Sequence, residues 1–131
     1  MTTDRFQQGL QTVSELFPSN RELVPSFPIP KEIADDWTAF SCSAVMGDIW
    51  SRPGLPKKNR AMITIAALTV LDKPNQLKAY ISGALNIGVT RQEVCEIIMQ
   101  MAAYGGVPAA IQALGIANEV FSLFDAAAPG K

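Results

Sequence analysis

Apolar residues recur along this chain at steps of three and four, the spacing of one helical face. In residues 4–17, Phe6, Leu10, Val13, Leu16 and Phe17 form such a stripe and predict an amphipathic helix whose apolar side must pack on something. Residues 18–30 hold Pro18, Pro25, Pro28 and Pro30 with too little periodicity for an element, so they predict an extended connector that ends with Pro30 opening a helix. From Pro30 to about Ser51 the residues Ile33, Trp37, Phe40, Ala44, Val45 and Ile49 keep the helical step, up to the breaker Ser51-Arg52-Pro53-Gly54. A third helix begins at Pro56. Its stretch from Ala61 to Leu71 is apolar nearly all round, which predicts burial on several sides. The β-branched residues there would also suit a strand, but no alternating segment or hairpin partner follows.

The remaining boundaries are marked by local chemistry. Asp72-Lys73-Pro74 restarts a helix with proline in its first turn, and Asn86-Ile87-Gly88 ends it on the glycine that a left-handed terminus favours. Thr90-Arg91-Gln92-Glu93 has the spacing of a capping box and opens a fifth helix, with Val94, Ile97, Ile98 and Met101 as its buried face. Gly105-Gly106-Val107-Pro108 breaks that helix. Residues 109–124 resume as a sixth, rich in small residues (Ala109, Ala110, Ala113, Gly115, Ala117) that let another helix approach closely, and residues 126–131 read as a frayed tail. The helical pairs 56–88 and 90–124 are not a usable repeat.

At 131 residues, 48% hydrophobic and 18% charged, the chain has the size of one domain, residues 1–131, with enough apolar side chains for a core. Eleven basic against twelve acidic residues leave no electrostatic footprint for nucleic acid and no polybasic membrane patch, so small molecules or proteins are the expected partners. The first residues lack the apolar stretch of a signal peptide, and no run approaches the ~18 apolar residues of a membrane span; a cytoplasmic location is expected. Cys42 and Cys95 form neither a CxxC pair nor a metal cluster and read as buried free thiols. Histidine is absent, which excludes Ser-His and Cys-His mechanisms within the chain and removes the commonest zinc ligand.

Several segments carry a resemblance: Trp50-Ser51-Arg52-Pro53-Gly54-Leu55, Arg60, Gly83-Ala84-Leu85-Asn86, Gly88-Val89-Thr90-Arg91, Glu93, and Tyr104-Gly105-Gly106-Val107-Pro108-Ala109-Ala110. In order and spacing, over roughly residues 35–122, the chain resembles the carboxymuconolactone decarboxylase family. The resemblance implies an all-α fold of about six helices, the alkylhydroperoxidase D-like bundle, assembled as a ring-like homo-oligomer, a trimer or hexamer, and no metal or organic cofactor. It also implies chemistry in which a carboxylated lactone loses carbon dioxide and is reprotonated. Such a reaction calls for donors aimed at the lactone oxygen, a dry pocket and an acid within about 3 Å of the carbon to be protonated.

Measured against that family, three site positions have changed chemistry. Tyr80 stands where the family has histidine, Ser43 where it often has glutamate, and Met46 where it often has tryptophan. A phenol with pKa ~10 donates a hydrogen bond or a proton at neutral pH but is a poor base. In the peroxidase branch of the superfamily a CxxC pair precedes the histidine by seven and four residues; Lys73 and Gln76 occupy those positions here, so disulfide-based peroxide reduction has no thiols to run on.

Each candidate residue carries a functional reading beside a plainer one. Tyr80 is either a site donor or core packing with a satisfied hydroxyl. Glu93 and Glu96 share a helix face, either as pocket carboxylates with raised pKa or, for Glu93, as the capping-box acid. Arg60 either binds a substrate carboxylate or pairs with Asp48 or Glu96. Trp50 and Arg52 line a pocket mouth or fix the turn. Ser43 and Ser82 are hydrogen-bond donors at site positions, and Met99, Met101 and Tyr104 are an adaptable lining or an interface. The reading that follows is a cofactor-independent lyase, decarboxylase-like, or isomerase acting on a carboxylated lactone or cyclic enone through an enolate-like intermediate; the alternative is a non-catalytic ligand-binding or assembly protein that keeps the fold.

Overall fold

The computed structural model describes residues 2–18 and 27–127; most of the proline-rich connector and the last four residues of the predicted tail lie outside the described residues. Six α-helices are present and no strand among the described residues, so the fold is all-α, as the sequence predicts. They are α1 (Thr2–Leu16), α2 (Lys31–Phe40), α3 (Lys57–Val70), α4 (Pro74–Asn86), α5 (Arg91–Gly105) and α6 (Val107–Ala127). The starts follow the local signals. Pro30 precedes α2 and Pro56 precedes α3, while Pro74 sits in the first turn of α4. At α5 both halves of the capping box form: the Glu93 amide donates to Thr90 Oγ1 at 3.0 Å and the Thr90 amide to Glu93 Oε1 at 2.9 Å. Gly88 and Gly106 take φ of +100° and +98°, and these positive angles release the chain from α4 and α5.

Two features depart from the expectation. The second helix does run as far as expected, but its final turns, Ser41–Gly47, are π-helical; the Asp48 amide reaches back five residues to the Ser43 carbonyl at 2.8 Å. And α3 buries only the stripe Ala61, Ile65 and Thr69, leaving Ile63 and Leu71 more than half exposed. Its all-round apolar character predicts burial on several sides, and this chain covers a single face. The apolar stripe of α2 is likewise uncovered, with Ile33, Trp37 and Phe40 all exposed. The helix α6 is long and apolar enough, by length and composition alone, to cross a bilayer, which the sequence reading did not anticipate. A packed core helix passes the same test, and its stripe Ala110, Ala113, Ala117 and Val120 is buried against the bundle.

One core joins the helices, drawing Leu16 from α1, Met46 from the π turn, Ile65 from α3, Leu77 and Ile81 from α4, Ile98 from α5 and Val120 from α6. The closest approach in it is between α1 and the π turn. A Cβ placed on Gly9 would stand 1.8 Å from the Cys42 carbonyl oxygen, and one on Gly47 would stand 2.3 Å from the Arg5 carbonyl oxygen. Each helix therefore offers a glycine to the other's backbone. Around this crossing Arg5 pairs with both carboxylate oxygens of Asp48 at 2.8 and 2.6 Å, which holds the Asp48 carboxyl below its usual range. The buried Thr12 hydroxyl lies 3.3 Å from Ser51 Oγ, which donates to the Met46 carbonyl at 3.1 Å, and Lys57 meets Glu15 at 2.5 Å.

Gly9→Ala and Gly47→Ala are each expected to lower stability by at least about 1–3 kcal/mol, because the obstacle is backbone and cannot rotate away. Gly115→Ala in α6, where an added Cβ meets nothing within 4 Å, is expected to raise stability by about 0.5–1 kcal/mol through helix propensity. Denaturant midpoints of the three variants check both signs.

Candidate active site

Tyr80 lies in the middle of α4, at the edge of the face that carries the buried Leu77, Ile81 and Ala84, and packs against the core they form. Its ring stacks on Trp50, with centroids 6.1 Å apart and planes at 28°, and meets the edge of Phe17 at 5.7 Å and 80°. Trp50 is almost fully buried and its amide is tied to the Val45 carbonyl at 3.0 Å, so the indole is a fixed wall. Burial raises the Tyr80 pKa above the ordinary value of 10.0. The phenol is thus kept in its donor form, and its hydroxyl has no hydrogen-bond partner among the described residues. Both readings of Tyr80 meet in this geometry: the ring packs, while the hydroxyl is not spent on a neighbour.

Two residues beyond Trp50, the Arg52 carbonyl accepts a hydrogen bond from Arg60 Nη2 at 3.2 Å. Arg60 stands in the first turn of α3, and its Nε is buried without a partner. Within one chain Arg60 forms no ion pair to Asp48 or Glu96: Asp48 is engaged by Arg5, and Glu96 accepts from Gln92 Nε2 at 2.9 Å. A buried guanidinium nitrogen with an unused proton has room for one more acceptor, and leaving it unsatisfied costs free energy.

The other candidates separate from this cluster. Glu93 is the capping acid of α5 and also faces Lys58 at 3.5 Å, so its pKa is lowered, first by the Thr90 amide. That is opposite to the raised pKa expected of a pocket acid, and the cause is the helix terminus. Glu93 and Glu96 instead line a surface groove of about 470 Å³ with Met62, Gln92, Ile97, Met99 and Gln100, which does not include Tyr80. Met99 and Tyr104 are among the most exposed apolar side chains and line nothing around Tyr80. Ser43 is buried in the π turn, where its carbonyl accepts from Asp48. Ser82 is fully buried, two positions and so about 200° round the helix from Tyr80.

Cys42 is buried and Cys95 only partly so; both are free. Among the described residues no three of Cys, Asp and Glu gather into a metal-binding group. Two contributors escaped the sequence reading: Phe17, which reads as ordinary packing in its stripe, and Asn86, whose side-chain amide donates to the Leu16 carbonyl at 2.8 Å. Asn86 was visible as part of the Ala-Leu-Asn segment, but its partner is seventy residues away and no local pattern names it.

The bundle is of the alkylhydroperoxidase D-like kind, with its aromatic cluster carried on a buried helix. Residues 35–119 match the carboxymuconolactone decarboxylase family, and the chain belongs to it. It is similar to 4-carboxymuconolactone decarboxylase of Acinetobacter baylyi, 33% identical over 117 residues that span 89% of this chain and 87% of that one. It is also similar to an uncharacterised 15.0 kDa protein from the nqo9-nqo10 intergenic region of Paracoccus denitrificans, 34% identical over 132 residues, covering 89% and 90%. A third relative is the nitrosuccinic acid decarboxylase of Metarhizium robertsii, 25% identical over 123 residues, covering 89% and 81%. Two of these three relatives are decarboxylases by name.

The raised Tyr80 pKa has a consequence for stability. An unfolded tyrosine ionises near pH ~10, whereas folded Tyr80 holds its proton to a higher pH. Between those two values the unfolded chain has released a proton that the folded chain keeps, so stability falls as pH rises through the window and is untouched below it. Tyr80→Phe is expected to flatten this alkaline loss in denaturant melts taken from about pH 9 upward. An unchanged slope would show that the phenol is not desolvated.

Proposed function

We propose that this chain is a cofactor-independent decarboxylase of a small carboxylic acid, with Tyr80 as the donor to the charge that develops and Arg60 as the holder of a substrate carboxylate. The substrate class is an acid whose departing carboxyl is conjugated to an electron-accepting group, a carboxylated lactone or cyclic enone being the leading case. When the bond to the carboxyl carbon breaks, carbon dioxide leaves and the electron pair moves onto the acceptor oxygen. A proton then joins carbon. The net reaction consumes one proton and removes none from carbon, so a donor is the group it requires and a base near neutrality is not.

The observation that carries the reading is the partly buried phenol between Trp50 and Phe17, with its hydroxyl uncommitted, at the position where the family resemblance implies histidine. A raised pKa makes Tyr80 a weaker acid, but the same dry surroundings strengthen each hydrogen bond it gives to an oxyanion. Support for decarboxylation as the reaction type comes from relatives whose names state it for 4-carboxymuconolactone and for nitrosuccinic acid. Isomerisation of the same enolate-like species would use the same donor. We place the catalytic group at Tyr80 rather than at Glu93 or Glu96, which face the groove on α5. The exposed Ile63, Leu71, Val107, Ile111 and Leu114 would be covered by further copies of the chain.

Turnover of 4-carboxymuconolactone and of nitrosuccinic acid tests the reading. Tyr80→Phe is expected to lower kcat by about 10²–10³-fold, the size of one lost oxyanion donor. Arg60→Gln is expected to act mainly by raising KM. Full turnover by Tyr80→Phe would sink the tyrosine mechanism, and tight binding of an acid without turnover would favour the non-catalytic ligand-binding alternative. Light scattering is expected to give several times the 14.1 kDa chain mass, and a strict monomer would remove the oligomer from the reading.

A further inference from the structure

Phe17 reaches Tyr80 from a distant part of the chain, the end of α1. The α4 surface that receives the end of α1 is a stripe of three residues at steps of three: Tyr80, Gly83 and Asn86. Each makes a different contact. Tyr80 meets the Phe17 ring edge-on at 5.7 Å. Gly83 leaves the space in which a Cβ would stand 3.1 Å from Phe17 Cε1 and 3.3 Å from Leu16 Cδ2. Asn86 Nδ2 donates to the Leu16 carbonyl at 2.8 Å.

That carbonyl is one of the last of α1, which have no partner within the helix, so the Asn86 bond fixes where the helix ends. Leu16 is fully buried, and the Phe17 amide still bonds to the Val13 carbonyl at 2.8 Å, so Phe17 leaves the helix in a defined direction. With Trp50 on the other side, the phenol stands between an indole and a phenyl ring.

From this arrangement we infer that Phe17 is a specificity-determining residue of the Tyr80 site, setting which acids fit beside the phenol, and that Asn86 is its positioning residue. The inference rests on the reading of Tyr80 as the site. Apolar walls of this kind discriminate by shape, and one altered hydrocarbon group shifts the preference between two substrates by about ten- to two-hundred-fold. Asn86 acts only through the end of α1. Its loss lets Phe17 move without altering any atom that touches Tyr80.

The test uses the full chain carrying Tyr104→Phe, in which Tyr80 is the only tyrosine left. Phe17→Ala, Phe17→Leu and Asn86→Ala are introduced separately, with Phe17→Leu retaining apolar burial so that a folding failure of the smaller variant does not decide the matter. Two quantities are read: the alkaline midpoint of Tyr80 by phenolate absorbance, and the ratio of kcat/KM for 4-carboxymuconolactone to that for nitrosuccinic acid. Phe17→Ala is expected to bring the midpoint down toward ~10 as water enters, and to change the ratio roughly tenfold or more, chiefly through KM. Asn86→Ala is expected to move both in the same direction by less. Phe17→Leu is expected to change the ratio while leaving the midpoint near that of the parent. A ratio constant within twofold and an unmoved midpoint in all three would overturn the inference even where Tyr80→Phe abolishes turnover. Binding of neither acid by the parent would overturn it together with the reading on which it rests.

Discussion

The backbone of α1 lies directly against the π turn Ser41–Gly47, and much of the candidate site depends on that contact. Gly9 fills its place only because the Cys42 carbonyl occupies what would be its side-chain space, and Gly47 does the same for the Arg5 carbonyl. Nothing wider than hydrogen fits at either point. Once the two backbones meet this closely, Thr12 comes within reach of Ser51, Arg5 of Asp48, and Glu15 of Lys57. The exposed pairs among these contribute little to stability, but they fix the rotation of α1 about its axis. That rotation puts Leu16 into the core and Phe17 onto Tyr80.

The chemistry follows from the surroundings of one hydroxyl. The family resemblance sets Tyr80 in place of a histidine, a group that titrates near neutrality; a phenol stays protonated there, and burial pushes it further in that direction. For a reaction beginning with proton abstraction the exchange would be disabling. Decarboxylation differs, because its barrier lies in placing charge on an acceptor and its proton arrives afterwards. Fixed donors in a dry site lower that barrier without having to ionise. In the proposed reading the buried Nε of Arg60, whose Nη2 bonds to the Arg52 carbonyl two residues beyond Trp50, is the second donor, for a carboxylate.

Much of the fold was legible because its signals are local. Pro30, Pro56 and Pro74 begin helices, Thr90 and Glu93 form the capping box, and Gly88 and Gly106 end helices with positive φ, each as the spacing indicates. The π turn was not legible, since its extra residue per turn moves the buried face onto Cys42, Ser43, Met46 and Gly47, away from the Ala44, Val45 and Ile49 that a regular helical step picks out. Which faces of α2 and α3 are covered was also hidden, because hydropathy says that a surface leaves water and not what covers it. Tyr80, Trp50 and Arg60 are picked out in the sequence only by their place in a family pattern. Glu93 and Glu96 were grouped with them by shared helix face alone, and in three dimensions they line a different surface. Phe17 and Asn86 stayed out of view because their partners, Tyr80 and Leu16, are 63 and 70 residues away along the chain.

The most direct measurement is a crystal structure of the protein with a non-reactive carboxylate analogue of the muconolactone ring. Density is expected beside Trp50 and the Tyr80 hydroxyl, with a carboxylate oxygen within hydrogen-bond distance of the Arg60 guanidinium. Density confined to the groove between Met62 and Glu96, with Tyr80 still sealed by Phe17 and Trp50, would contradict the assignment of the site.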